Sequence, residues 1–354
     1  MGKGRIAELD FVRAVAILAV LLIHGTADAT VEIPFGSRSQ IVFLLINKLS
    51  NFAVPVFLMI SALVMFYRYE AGWNGREAFN FYRKRLQYVI VPYLIWMFFY
   101  YVFYQWLGNN RDLSAISIDW LDFAKKLQWA DVGYHLYFIV IIAQFYLVFP
   151  IIMSLVKAFA WFRRYLWLVG IVIQGGVYSY HHWVNPFEHS GTLVTTYAAV
   201  ICIGGWIGLH YDKFRSASRH LWWVFGLAML FGYSLFNIFV LIRTNISFGA
   251  VAYEVVFHGY AIFMGISLLW IGRKVMEGYT RLAKWIVSFS AASFGIYLIH
   301  PALLSYWKVR LVYPGDSIAY QVSAIASTIM LLIVPWIIIA LIKKIKGSWI
   351  LLGR

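Results

Sequence analysis

A chain of 354 residues that is 62% hydrophobic and only 13% charged cannot fold as a soluble globule, because it has too few polar residues to cover an apolar interior. Its net charge of +15 does not require a nucleic-acid partner, since the cytoplasmic loops of membrane proteins are basic for topological reasons and no nucleic-acid reading motif is present. The single cysteine, Cys202, excludes an intramolecular disulfide and a thiolate metal cluster.

Windows of roughly 20 apolar residues predict an all-α, polytopic membrane protein with ten transmembrane helices. They run approximately over 10 to 27, 42 to 66, 86 to 107, 134 to 156, 165 to 181, 192 to 211, 221 to 242, 249 to 271, 285 to 306 and 318 to 342. With the N-terminus in the cytoplasm, most of the 30 Lys and Arg fall on that side, Lys3, Arg219 and Arg354 among them. Only Arg38, Arg111, Lys125, Lys126, Arg243, Lys308 and Arg310 fall on the other side, and Arg13 and Lys48 lie within spans. That bias places both termini in the cytoplasm. The chain reads as one membrane domain over 1–354, located in the cell membrane among lipids, and its first span is not read as a cleaved signal peptide, since it carries Arg13 and His24 and no small-residue cleavage site follows it.

The first window, FVRAVAILAVLLIH, contains Arg13 and His24. An ionisable residue inside a span is costly unless it meets partners or lines a wet pathway. Eleven residues at about 100° each amount to three turns plus about 20°, so both side chains leave one face, about 16 Å apart along the axis. Glu8 and Asp10 stand just ahead, with Asp10 three residues before Arg13 as a helix cap beside a snorkelling Arg13. The second window opens with Asn47, Lys48 and Asn51. Arg83, Lys84 and Arg85 end the next cytoplasmic loop and are suited to phosphates by charge-assisted bonds, as are Arg163 and Arg164.

The external segment 108 to 133 contains WLDFAKKLQWA, whose Trp120, Phe123 and Leu127 predict a short interfacial helix. His135 begins the fourth window. His181, His182, Glu188 and His189 gather in an external loop, but their spacing matches no defined metal geometry and no metal is expected. Gly204 and Gly208 predict close helix packing. Glu254 and His258 share a face at i and i+4, as do Ser290, Ser293, Tyr297 and His300 in the ninth window. Such stripes serve interhelical hydrogen bonds or a site. The outward run of spans one and nine puts His24 and His300 in the outer half, together with Asn51, His135, Glu254 and His258.

These elements together resemble the acyltransferase-3 family of bacterial integral-membrane acyltransferases. The resemblance rests on ELDFVRAVAILAVLLIH, VPVFLMISA at 54 to 62, RKRLQYVIVPY at 83 to 93, HLYFIVIIAQFYLVFP at 135 to 150 and SFGIYLIHP at 293 to 301. There are two departures from the family pattern: Ala62 follows Ser61 where glycine is usual, and Gln87 and Tyr88 stand where a further arginine is frequent. The resemblance implies acyl transfer, usually from cytoplasmic acetyl-CoA, to a hydroxyl of a cell-surface polysaccharide or other glycan. It also implies a standalone form that completes the transfer alone or passes the acyl group to a separate extracytoplasmic partner.

On this reading Arg13 and the basic loops hold the acyl-CoA phosphates, and the thioester threads toward His24. His24 acts as general base, or as a nucleophile in an acyl-histidine relay. Glu8, Asp10 and Glu254 are the carboxylates available to orient a histidine or carry a proton. His135, Tyr297, His300, His258 and Asn51 are candidates for the acceptor end. A transporter or flippase for an anionic or glycan-linked solute uses the same intramembrane charges and is the alternative.

Overall fold

The computed structural model describes residues 4–217 and 220–353, so Lys3, Arg219 and Arg354 of the basic bias lie outside the described residues. Every regular element described is helical. The first half holds α1 (Glu8–Thr26), α2 (Arg38–Leu49), α3 (Ala53–Tyr69), α4 (Gly75–Arg85), α5 (Val91–Gly108), α6 (Trp120–Trp129) and α7 (Tyr137–Ala158). The second half holds α8 (Leu166–Trp183), α9 (Ala198–Leu209), α10 (Trp222–Arg243), α11 (Ala250–Gly278), α12 (Thr280–Arg310), α13 (Ile318–Ile342) and α14 (Trp349–Leu352).

Polar residues begin several helices by accepting N–H groups that the first turn leaves free. Ser37 accepts from Gln40, Asn74 from Glu77 and Ser317 from Tyr320. Between α4 and α5 the chain does not break but widens into a π-helical stretch, Leu86–Ile90. Helix α6 forms as its apolar pattern predicts. Asp119 caps it, Trp120 and Leu121 are exposed, and Phe123 and Leu127 pack on the core.

All ten predicted windows fold as helix, yet eight helices among the described residues are long and apolar enough to cross a membrane. A ninth is obtained if Val194–Leu209 and Tyr211–Ala217, bent by 90°, form one broken span. The window 165 to 181 becomes α8, whose Gln174, Ser179, His181 and His182 lower its mean hydropathy below that of the eight. Helix α13 shows what the outer surface of the bundle faces. Ile318, Val322, Ile325, Ile329, Ile333, Ile337 and Leu341 are exposed at spacings of three and four, a single apolar stripe with no protein against it. The chain is a polytopic, all-α membrane protein.

Helix α1 is central and packs on α2, α3, α11, α12 and α13. Close approach depends on small residues: a Cβ on Gly25 would lie 2.5 Å from Thr328 Oγ1 of α13. Helix α9 uses the same device, since a Cβ on Gly204 or Gly208 would fall 2.2 or 2.3 Å from the Met59 or Leu63 carbonyl oxygen of α3. The start of α1 and the end of α13 lie at one end of the bundle, called here the basic end. There Lys343 donates to the Ala291 carbonyl and Trp96 donates to the Leu351 carbonyl of α14.

Candidate functional site

Three imidazoles from distant parts of the chain meet at the end of the bundle opposite the basic end. His24 comes from the last two turns of α1, His300 from α12, and His135 from the turn before α7. The His24 ring lies 5.2 Å from the His300 ring and 4.9 Å from that of Tyr134. His135 is 5.7 Å from His300 and is enclosed by Tyr100 at 4.8 Å and Tyr297 at 5.4 Å.

The local sequence explains the orientation of His300. Pro301 has no N–H, so the Tyr297 carbonyl four residues earlier receives no backbone bond. The His300 Nδ1–H supplies one at 2.8 Å and also lies 3.1 Å from the Ile296 carbonyl. Because Nδ1 donates, Nε2 of the neutral ring is a bare acceptor, and it is buried without a partner. His135 is 1% exposed, and neither of its ring nitrogens has a partner, although its carbonyl accepts the Tyr297 hydroxyl. A buried polar group left unsatisfied costs about 1–3 kcal/mol. Several such groups at one place make this end the candidate site.

Helix α1 is held at this point by α2. Asn47 Nδ2 donates to the Ile23 carbonyl at 2.9 Å and to Thr26 Oγ1 at 3.1 Å, while Thr26 donates to the Leu22 carbonyl. His24 is thereby bracketed by bonds on both sides. Of the two asparagines at the start of the second window, Asn47 rather than the candidate Asn51 reaches this place, and Tyr134, which the sequence did not single out, joins it. Asn51 is only half-buried, at the turn between α2 and α3.

At the basic end the carboxylates are fully engaged. Asp10 accepts from Arg5 at 2.5 Å and from Ser290 at 3.1 Å, and lies 3.7 Å from Arg13. Glu8 accepts the Tyr211 hydroxyl. Asp10 lies fourteen residues before His24 on one helix, about 21 Å away, and Glu8 lies further still. The structure therefore brings neither carboxylate to the imidazoles.

The basic residues divide into two groups. The Arg85 guanidinium lies over Tyr146 at 4.6 Å and Phe81 at 5.1 Å, with Nε buried and without a partner. Arg83 and Lys84 are exposed. Arg163 is paired with Glu70 and bonds the Leu209 carbonyl, and Arg164 lies over Tyr165. These two are tied to their own neighbourhood. Glu254 and His258 pair at 3.1 Å beside Tyr197, without a ring contact or hydrogen bond to the three imidazoles.

The external histidines are also used locally. His181 accepts the Phe187 N–H, His182 bonds the Tyr178 carbonyl and His189 stacks on Trp129. No cluster able to hold a metal ion occurs among the described residues.

The fold is that of a multi-pass membrane protein with three clustered imidazoles at one end of its central helix and cationic side chains at the other. A family model described as an acyltransferase domain matches residues 6–340, and the chain belongs to that family. A probable poly-β-1,6-N-acetyl-D-glucosamine export protein of Staphylococcus epidermidis is 24% identical over 332 residues, covering 90% of this chain and 87% of the relative. A protein of the same description from Staphylococcus aureus is 22% identical over 313 residues, covering 84% and 82%. No solved structure matches. The apolar helices and these relatives place the chain in the bacterial cell membrane as a multi-pass protein.

Proposed function

We propose that this protein is an O-acyltransferase that moves an acetyl group from acetyl-CoA, held at the basic end, to a hydroxyl of a surface glycan at the opposite end. The observation that carries this reading is the gathering of His300 and His135 around His24, which shares the central helix α1 with Arg13 at about 16 Å of rise. That span is comparable with an extended pantetheine arm. The basic bias of the loops assigns the Arg13 end to the cytoplasm.

Arg13 and Arg85 suit a polyanionic donor, and the orphaned Nε of Arg85 is a donor waiting for an oxygen acceptor. Asp10 and Glu8 act as positioning groups: Asp10 steadies Arg13, and Glu8 ties α1 to Tyr211. The His300 Nε2 lone pair, unpartnered beside the His24 ring, is placed to take an N–H from His24 as the acceptor binds, which would leave the other His24 nitrogen as the base.

His24 removes the proton from the acceptor hydroxyl as its oxygen attacks the thioester carbonyl. The C–S bond then breaks, and the thiolate takes the proton back from the imidazolium, so no net proton is consumed. His135 and its neighbouring hydroxyls face the developing oxyanion. Glu254 with His258 forms a separate pair that this scheme does not use.

The relatives' descriptions as export proteins favour a second reading, passage of a glycan through the bundle. Proteoliposomes of one orientation separate the two. Acetyl-CoA on the Arg83 side with an impermeant glycan on the other should give acylated product. Glycan movement without product, or product only with both substrates on the Arg83 side, overturns the trans-bilayer transfer.

A further inference from the structure

An open trough lies over the imidazoles at the end opposite the basic end. It consists of two hollows of about 710 and 570 Å³ that share Tyr104, Asp131 and Val132. The first is lined by Tyr134, whose ring lies against His24, and the second by Tyr100, whose ring lies against His135. His135 also lies directly beneath the first hollow, since a Cβ on its lining residue Gly133 would be 3.4 Å from His135 Nδ1. That nitrogen is buried under the lining of the first hollow and has no partner.

The charge of the trough is opposite to that of the chain. Its lining holds Asp119, Asp122 and Asp131 with one cation, Lys126. Lys126 is bonded to Asp122 at 2.7 Å and holds that carboxyl below the usual range, so this pair is neutral as a unit. Asp119 spends one oxygen on the Leu121 and Asp122 N–H groups as a cap. Asp131 bonds to no side chain and stands where the two hollows meet. In a protein of net charge +15, this concavity is acidic, and Trp129, Tyr104 and Tyr134 give it flat apolar walls.

We infer that the acceptor is an oligosaccharide carrying protonated amino groups, with an ammonium paired to Asp131 and sugar faces against the tyrosine and tryptophan rings. The inference rests on the acyl-transfer reading of His24. A neutral glycan would find aromatic walls here but nothing to offset the desolvation of Asp131. A polyanionic glycan would be repelled. Two confluent hollows rather than one compact pocket fit a chain of several sugars rather than a single residue.

The test uses the full chain in detergent at low salt, with fluorescently labelled tetramers of glucosamine and of N-acetylglucosamine. The glucosamine tetramer should bind about fivefold more tightly, as expected for one partly exposed charge pair. Asp131→Asn should reduce that preference to within about twofold, and Asp131→Glu should retain it. Lys126→Ala, which frees Asp122, should widen it. His24→Ala should keep the preference while losing transfer, which separates recognition from chemistry. Equal affinity for both tetramers, binding of neither, or a preference unchanged in Asp131→Asn overturns the inference. Transfer to both tetramers at equal efficiency overturns it while leaving acyl transfer standing, whereas binding with preference but no transfer to either removes the acyl-transfer reading instead.

Discussion

At the start of α1, Asp10 is bonded by Arg5 and Ser290 and lies beside Arg13, and Glu8 accepts from Tyr211. At its other end, His300 Nε2 and both nitrogens of His135 are buried with nothing bonded to them. The two ends are equally polar in composition but opposite in satisfaction. A saturated network fixes geometry, and an unsatisfied one retains the capacity to bond something else. By that criterion the first end is a frame and the second is the proposed reacting centre, with Arg85 as the exception that keeps an unsatisfied nitrogen on the framed side.

The comparison is broken most directly at His24. His24→Ala should lower acyl transfer about 10²–10⁴-fold, the usual worth of a positioned base, with acetyl-CoA affinity unchanged by calorimetry. Near-parental turnover would falsify the assignment of the reacting end. The exception at the framed end comes next. Arg85→Ala should weaken CoA binding by about 10–100-fold, the range for a charge-assisted bond, and Arg85→Lys should recover only part of it. If CoA binds both variants as well as the parent, the donor anchors elsewhere.

A finer test addresses how the unsatisfied end is built. Pro301→Ala supplies the missing N–H to the Tyr297 carbonyl and so competes with His300 Nδ1 for it. The turnover number should fall about tenfold with the donor KM little changed, while thermal stability holds or rises, since an interior helical proline is unfavourable by about 3 kcal/mol. A parental turnover number in this variant would show that the tautomer of His300 has no influence on rate. The smallest effect is expected at the clasp between α1 and α2. Asn47→Ala removes two bonds and should cost about 0.6–1.7 kcal/mol of stability, with a severalfold loss of rate, read from a thermal melt and an initial-rate assay.

Much of this was legible in the sequence because helices translate spacing into direction. Arg13 and His24 share a face by arithmetic, and Ser290, Ser293, Tyr297 and His300 do likewise. Ser290 and His300 then prove to serve opposite ends of one long helix, Ser290 on Asp10 and His300 beside His24. Lateral position was not legible. Glu254 and His258 belong to the same outer half by topology, yet they pair beside Tyr197 rather than among the imidazoles. Tyr134 lies in a turn without periodicity, so no pattern pointed to it. The basic residues looked equivalent as a composition, but Arg163 is consumed by Glu70, 93 residues away in the chain, and Arg85 is not. Partners that distant are settled only by packing.

The π-helical stretch Leu86–Ile90 makes one continuous rod serve two masters. A π turn takes in one residue more than an α turn, which rotates everything beyond it by about 100°. In an unbroken α-helix Arg85 and Trp96, eleven positions apart, would share a face, and the guanidinium would point toward the side on which Trp96 bonds the C-terminal Leu351. With the extra residue, Arg85 turns to Tyr146 while Trp96 and Tyr100 keep their seats against α14 and α12. The insertion is a phase shifter: deleting a single residue within 86–90 should give a plain α-helix that keeps the cationic and aromatic halves of the rod in step and shortens the span by no more than about 1.5 Å, whereas winding all five residues into α-helix would turn one half against the other by about 100°.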